Sequence, residues 1–211
     1  SDASSARDVA KIVSLDQAFT SRILRLVNSA FYGFPSKIDT VTHASAILGF
    51  NVIRSLALSI TVFDMFRGES FGFDRGAFWK HAIGTGVVAR ALARKVRYRE
   101  PEEIFIAGLM HDIGKVIEDK FLHEEFLQVL QLIAEKGCTM REAEEEVIGL
   151  DHTRIGGKVV EKWNLPPMLR EVVRYHHQPP SDLGPLFEGG KIVGLVHMAN
   201  IVSRVKQFGY G

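Results

Sequence analysis

Apolar residues recur at intervals of three and four positions along almost the whole chain. This is the spacing of an amphipathic helix, and no alternating pattern of strand length interrupts it. The first apolar stripe runs from Ala10 to Val27, and we interpret it as two short helices separated near Asp16. The pattern therefore predicts an all-α fold, built as a bundle of many helices.

Turn-forming residues divide the first third of the chain. Residues 28–37 are rich in turn formers, and Gly33 and Pro35 interrupt the helical periodicity there. A second helical region is predicted over residues 42–66, with a junction between two helices at residues 49–51. The N-terminal part of the chain is therefore expected to be a small helical unit of its own.

A loop over residues 67–73 separates the two predicted parts of one domain. We predict an N-terminal helical lobe over residues 1–70 and a second, larger lobe over residues 71–211. Asp74 is a suitable N-cap for a helix that carries His81 and runs to Val96, because its carboxylate can accept a hydrogen bond from a free backbone N–H.

Pro101 is a suitable first residue for the next helix. Proline has no backbone N–H, and the N–H groups in the first turn of a helix have no partner within the helix. The two acidic residues after it interact favourably with the positive, N-terminal end of the helix dipole. This helix is predicted to continue to Asp112, where Gly114 ends it. Further helices are predicted over residues 120–136, 140–150, 153–163, 167–175 and 191–208.

The composition is that of a soluble globular protein. The 211 residues are 46% hydrophobic and 24% charged, which suits one domain with a sizeable core. A formal net charge of +1 gives no electrostatic reason for general nucleic-acid binding. A single cysteine, Cys138, excludes a disulfide framework and a zinc finger and fits a reducing cytoplasm.

The chain contains no segment that predicts membrane association. Its longest apolar stretch, residues 55–63, is far too short to cross a bilayer. The N-terminus is polar and has no signal-peptide core. We therefore expect a cytoplasmic protein without a membrane partner.

The dipeptide His111-Asp112, within GLMHDIGK, is the strongest indication of chemistry. Together the two residues offer a neutral nitrogen ligand and a carboxylate that can bridge two cations. Lys115 follows three positions later, within reach of a negatively charged ligand. This combination suits a divalent metal that handles phosphate.

Further histidines accompany this pair. They are His81, His152, His176 and His177. All except His81 are predicted near helix ends, where several side chains can meet in the centre of a bundle. A single helical histidine is more often structural than a ligand, and we assign no role to His43 or His123. His197 stays ambiguous, because it shares a helix face with Asn200.

The residues resemble the HDOD domain of bacterial signalling proteins, within the HD superfamily of metal-dependent phosphohydrolases. The resemblance covers about residues 5–208 and is most specific in two runs, NSAFYG at residues 28–33 and AILG at residues 46–49. The HD pattern is matched by His81 and by His111-Asp112. The later histidines resemble the additional ligands of the binuclear HD-GYP branch, and Lys115 matches the lysine of its HD-x-x-K motif.

This resemblance implies an all-α, HD-superfamily-like core with an N-terminal helical lobe. It also implies one or two divalent metal ions, which could be Fe, Mn, Zn, Ni or Mg. The implied ligands are His81, His111, Asp112, His152, His176, His177 and Asn200. If the domain is an enzyme, Asp112 and Lys115 are its implied catalytic residues.

The chain departs from the catalytic branch at several positions. Ala77 stands where HD-GYP proteins have a glutamate, and Asn200 stands where a closing acidic ligand is expected. The doublet continues as Gln178-Pro179-Pro180 instead of a glutamate and a Gly-Tyr-Pro run. Two cations would then face a single carboxylate, so the sequence argues against cleavage of cyclic dinucleotides.

We therefore expect a signal-transduction domain that binds signalling proteins or a phosphate-containing small ligand. The alternative is a metal-dependent phosphohydrolase acting on phosphoesters or nucleotides. A third interpretation, nucleic-acid binding, rests on the basic row of Arg90, Arg94 and Arg97. We favour a solvated helix face balanced by nearby glutamates for that row, and so expect no nucleic-acid partner.

Overall fold

The computed structural model describes residues 17–30, 32–65, 72–183 and 189–209. Within these residues the secondary structure is helical and contains no strand. The chain divides into two compact units, Ser1–Arg67 and Gly68–Gly211. Among the described helices, none combines the length and hydropathy needed to cross a bilayer.

The first unit contains three described helices, α1 (Gln17–Val27), α2 (Val41–Leu48) and α3 (Phe50–Met65). Their apolar faces enclose a small core. Its fully buried members include Ile23, Val27, Ile38, Ala44 and Leu56. The part of the first apolar stripe before Gln17, with the break predicted near Asp16, lies outside the described residues.

The turn after α1 is held by the side chain of Asn28. Its amide nitrogen donates to the carbonyl oxygens of Leu24 and Ile38, at 2.9 and 2.7 Å, and its amide oxygen accepts from the Ile38 N–H at 2.7 Å. One side chain thus satisfies backbone groups on both sides of the turn. The predicted turn over residues 28–37 is confirmed in its described part, and Gly33 takes the left-handed conformation there.

The predicted junction within residues 42–66 is also confirmed. Gly49 separates α2 from α3 with a φ of 86°, a value that L side chains rarely adopt. The Thr40 hydroxyl caps α2 by accepting the backbone N–H of His43.

The second unit carries the remaining helices. They are α4 (Arg75–Lys95), α5 (Pro101–Met110), α6 (Ile113–Phe121), α7 (His123–Lys136), α8 (Met140–Val147), α9 (His152–Lys162), α10 (Pro167–Tyr175) and α11 (Gly190–Val205). A short 3-10 turn, Pro180–Leu183, precedes α11. Helix α4 packs against α5 and α11, while α9 packs against α6 and α10. As predicted, the Asp74 carboxylate caps α4 through the Ala77 N–H, at 2.8 Å.

Several of the predicted helix bounds are wrong, and two of the errors concern α6. The helix predicted to run to Asp112 ends at Met110, and Gly114 lies inside the next helix instead of ending the first one. The helix predicted over residues 120–136 is two helices, which meet at Leu122. Two further helices also end earlier than expected, α8 at Val147 and α11 at Val205.

Gly114 is needed for close packing, not for helix termination. A Cβ added to it would overlap the carbonyl oxygen of His152 and would lie 2.9 Å from the His152 Cα. Gly156, one turn further along α9, approaches the same point, since its own Cβ would lie 3.0 Å from the Gly114 backbone nitrogen. The two glycines let α6 and α9 approach closely, which brings His152 next to the turn that carries Asp112.

Candidate metal centre

The second unit gathers the predicted ligands from several helices. His81 lies in the middle of α4, and His111 and Asp112 form the turn between α5 and α6. His152 is the first residue of α9, while the doublet His176-His177 directly follows α10. All of these are buried except His177, which is half-buried. Asn200, on α11, is buried as well.

Asp112 belongs to two groups of side chains that could each hold a metal ion. One group consists of His81, His111 and Asp112. The other consists of Asp112, His152, His176 and His177. Within each group the ligand atoms all lie within 4.8 Å of one another. The shared residue has the chemistry of a bridging carboxylate.

The two oxygens of Asp112 point to different groups. Oδ1 lies 3.3 Å from the Nε2 atom of His152 and 3.2 Å from that of His176. Oδ2 lies 3.3 Å from the His111 Nε2 atom and also accepts a hydrogen bond from Lys115 Nζ at 2.8 Å. One carboxylate thus connects both candidate sites.

Several buried atoms of these residues have no hydrogen-bond partner among the described residues. They are His81 Nδ1, His111 Nε2, Asp112 Oδ1, His176 Nε2 and Asn200 Oδ1. Buried polar atoms without partners are costly, and each such group in a folded protein needs an explanation. Imidazole nitrogens and carboxylate or amide oxygens are all potential metal ligands, so the donor set fits a divalent transition metal.

Backbone carbonyl groups fix the orientation of two of the histidine rings. The Nδ1–H of His111 donates to the Gly108 oxygen at 2.6 Å, and that of His176 donates to the Val173 oxygen at 3.0 Å. Each bond places a ring proton on Nδ1 and leaves Nε2 on the side of Asp112. Outer hydrogen bonds of this kind are typical of metal-binding histidines.

The charge states of these groups also suit metal binding. Burial, together with the neighbouring His111, lowers the pKa of His81 to about 4, and burial lowers the pKa of His176 to about 3. Both rings are therefore neutral near pH 7 and can donate a lone pair. Burial opposes ionisation of Asp112, but His111 and Lys115 outweigh it and hold its pKa well below the usual range.

The family of this chain is shown by comparing its sequence with profiles of known protein families. A profile of the HDOD domain matches residues 1–179. This chain belongs to the HDOD family. The predicted family is thereby confirmed, and so is the predicted all-α class.

Two solved structures resemble this HDOD domain throughout. An HDOD domain protein with unknown function from Geobacter sulfurreducens superposes with a TM-score of 0.79 and 27% identity, over 97% of this chain and 68% of that one. A candidate phosphohydrolase from Shewanella amazonensis SB2B gives a TM-score of 0.75 and 25% identity, over 94% and 69% of the two chains. A relative by sequence is an uncharacterized protein of Treponema pallidum (strain Nichols), 25% identical over 174 residues. The match covers 82% of this chain but only 34% of that protein.

Glu144 of the HDOD domain holds His152, and sequence reasoning missed it. Its carboxylate accepts the His152 Nδ1–H at 2.7 Å and the His152 backbone N–H at 2.9 Å. Burial and Lys115 lower the pKa of His152, but its hydrogen bonds with Asp112 and Glu144 outweigh them and raise it. The sequence did contain an indication of this role, because Glu144 lies on the apolar face of α8, next to the buried Ala143.

We predict that Glu144→Gln weakens divalent-metal binding by about 10- to 100-fold, the usual effect of losing an outer partner of a ligating histidine. Glutamine has one acceptor oxygen, whereas the carboxylate accepts two bonds from His152. Titration of the metal-free protein with Mn²⁺ or Ni²⁺ measures the change. Glu146→Gln, an exposed change on the same helix, is the control and should leave affinity unchanged.

Glu118 forms a second buried layer behind Glu144. It is fully buried on α6, and its two oxygens have no donor among the described residues. Two ionised carboxylates offer each other no donor, so their contact needs a shared proton. Burial and the charge of Glu144 raise the pKa of Glu118 to about 10. We therefore assign the proton to Glu118.

The raised pKa of Glu118 has a consequence for stability. The folded protein keeps this proton up to about pH 10, whereas the unfolded chain releases it near pH 4.5. Folding therefore takes up a proton between these limits, and this group makes the protein less stable as pH rises through that window. Glu118→Gln keeps the shape and the donor without ionising. It should raise the free energy of unfolding by up to about 5 kcal/mol at pH 8 and leave it nearly unchanged at pH 4.

Urea unfolding of the wild type and the Glu118→Gln variant at several pH values tests this. The exposed change Glu124→Gln is the control. A Glu118→Gln protein that is less stable than the wild type at pH 8 would contradict the assignment of the proton.

Other predicted residues have partners that narrow their roles. Lys115 is 2% exposed and donates to Asp112, so its charge balances the carboxylate instead of lining an open cavity. The Nδ1–H of His197 donates to the His176 carbonyl oxygen at 2.8 Å, which supports the doublet from α11. Asn200 and Ala77 are both buried and supply no charge.

Arg90 and Arg94, the two members of the basic row that lie on α4, form ion pairs. Arg90 Nε lies 2.7 Å from a Glu102 oxygen, and Arg94 reaches the same oxygen at 3.3 Å. Arg90 is moreover buried, not solvated. The expected neutralisation of the arginines by a glutamate is therefore observed, whereas the expected solvent exposure is not observed for Arg90. These contacts give no support to nucleic-acid binding.

Proposed function

We propose that this HDOD domain is a cytoplasmic signal-transduction module that keeps a metal pocket and acts by binding a protein partner or a small ligand. The sharing of Asp112 between two groups of ligand residues, several of whose buried atoms have no hydrogen-bond partner among the described residues, is the observation that carries the metal pocket. The same site is poor in negative charge, which favours a binding and structural role over turnover.

The charge balance supports this choice. Asp112 is the single carboxylate in the two ligand groups, and Lys115 already neutralises it. Two divalent cations would add four positive charges to a site whose remaining ligands are neutral. Asn200 and Ala77 supply none of the missing charge. We therefore propose a single ion, held by Asp112 and its neighbouring histidines.

A bound divalent ion would supply Lewis-acid polarisation and acidify a water molecule. The residues of the chain supply the rest of the pocket. His111 and His176 present preoriented nitrogens, and Glu144 holds His152 in the matching tautomer. The burial of these rings excludes bulk solvent, and this strengthens every polar contact inside the pocket.

The second candidate function is a metal-dependent phosphohydrolase. It is favoured by the bridging position of Asp112 and by the likeness to a candidate phosphohydrolase at 25% identity. Both functions require the metal pocket, and they differ in turnover.

Elemental analysis combined with a phosphoesterase assay separates the two. Protein purified without chelator should contain about one transition-metal ion per chain and should not hydrolyse p-nitrophenyl or bis-p-nitrophenyl phosphate. Turnover that disappears in Asp112→Ala would establish the phosphohydrolase instead. Protein that neither contains nor takes up a metal ion would refute the metal pocket in both versions.

A further inference from the structure

Two adjoining cavities lie beside the candidate metal centre. The smaller has a volume of about 200 Å³ and a polar lining, which includes Arg141, Glu145, Asp151, Arg154, Arg174 and His177. The larger is a groove of about 410 Å³. The two share Arg154 and Arg174, which therefore stand between them.

The small cavity meets the candidate metal centre at His177, which is one of its lining residues. This residue belongs to the Asp112 ligand group and is the one candidate ligand that is not buried. The other ligands are at most 4% exposed. A ligand that enters this cavity therefore reaches the edge of the candidate metal site.

The charges around the small cavity favour an anion. Three arginines line it against two acidic residues, Asp151 and Glu145. Arg141 is occupied by Asp151, with Nε 2.7 Å from a carboxylate oxygen. In the described part of the chain, no carboxylate lies within ion-pair distance of the Arg154 or Arg174 side chain. Two guanidinium groups thus remain available for a ligand.

The groove adds an apolar floor to this charge. Leu150, Ile155 and Val159 supply aliphatic surface along one face of α9 and the turn before it. Its charged lining residues are all cations, Arg154, Lys158, Lys162 and Arg174. Lys158 is paired with Glu161, which does not line the groove. None of the lining residues is aromatic, so the groove offers no ring for stacking a nucleic-acid base.

We propose that Arg154 and Arg174 together hold the phosphate group of a small ligand whose aliphatic part lies along the groove. Guanidinium groups suit this role because their planar donors match phosphate oxygens in pairs. The small cavity is below the ~300–1,000 Å³ of pockets for drug-sized ligands, which suits one phosphate group and not a dinucleotide. This compound would be the small ligand of the proposed signalling module, and its assignment rests on that proposed function.

Isothermal titration calorimetry with hexyl phosphate and with inorganic phosphate tests the assignment. Hexyl phosphate should bind at one site per chain and at least about tenfold more tightly than inorganic phosphate, because the groove also buries the apolar surface of the hexyl chain. The double variant Arg154→Gln/Arg174→Gln should weaken its binding at least about tenfold. Arg170→Gln is the control, since this exposed arginine of α10 lines neither cavity.

Absence of hexyl phosphate binding would overturn the proposal, and so would equal affinity in the double variant. Binding of inorganic phosphate as tight as that of hexyl phosphate would overturn the assignment of the groove. Metal content measured on the same samples keeps the two proposals apart. The double variant should retain its metal. A wild type that neither contains nor takes up a metal ion but still binds hexyl phosphate through the arginines would refute the metal pocket and support the phosphate site.

Discussion

Asp112→Asn is expected to abolish metal binding by the purified HDOD domain. Asparagine removes the only carboxylate in the two ligand groups and places an NH₂ donor where an acceptor is needed. Both groups lose a shared ligand at once, so the fall in affinity should exceed the ~10- to 100-fold typical of losing an outer partner. Elemental analysis of protein purified under identical conditions, followed by titration with Mn²⁺ or Ni²⁺, measures it.

Lys115 complicates this substitution, and a second variant resolves the difficulty. Its ammonium group is 2% exposed and donates to Asp112, so the asparagine variant leaves a buried charge without a counter-ion. Breaking a buried pair in this way costs about 3–5 kcal/mol of stability. Asp112→Asn/Lys115→Met removes both charges and should fold while still lacking metal.

The exposed change Asp39→Asn is the control for these two variants. If the folded Asp112→Asn/Lys115→Met protein contained as much metal as the wild type, the ion would be bound at a site other than Asp112.

The sequence predicted the helical fold and drew attention to the residues that meet around Asp112. Periodicity is a property of the chain itself, so most helices could be placed to within a few residues. The ligands could be proposed because two of their pairs are adjacent in sequence, His111-Asp112 and His176-His177. Their convergence could not be derived from periodicity, and the family resemblance supplied it.

The outer layer of the site could not be predicted in the same way. Glu144 lies in a run of acidic residues, which normally indicates a solvent-facing helix, and Glu118 lies between charged neighbours on α6. Burial of a carboxyl group becomes favourable only when a specific partner is present, here the His152 ring and a shared proton. Such partners come from other helices, and one sequence does not show which helices pack together.

Gly114 shows a second limit, because glycine is used for two different purposes. A glycine after an apolar helix normally indicates a C-terminal cap. Here its φ is negative, and the absence of a side chain serves the contact between α6 and α9. The two uses produce the same letter in the sequence, so only the packing distinguishes them.

Gly114→Ala is therefore expected to destabilise the protein strongly, although alanine is the better helix former. The added methyl group would overlap the His152 carbonyl oxygen, a backbone atom that cannot move without shifting α9. Overpacking of this kind costs about 3 kcal/mol. That corresponds to a fall of roughly 6–12 °C in Tm for a chain of this size. Metal affinity should fall as well, because the shift moves His152 away from Asp112.

Gly157→Ala is the matched control, with the same substitution on the helix that Gly114 contacts. A Cβ at Gly157 would meet only the Arg174 side chain, at 3.7 Å, which is an ordinary contact. This variant should be as stable as the wild type or more stable by up to about 1 kcal/mol, from helix propensity alone. Thermal unfolding followed by circular dichroism compares the two variants directly. Equal stability of the Gly114→Ala and Gly157→Ala proteins would mean that α6 and α9 are not in backbone contact. Close packing of these two helices could then not be what places His152 next to Asp112.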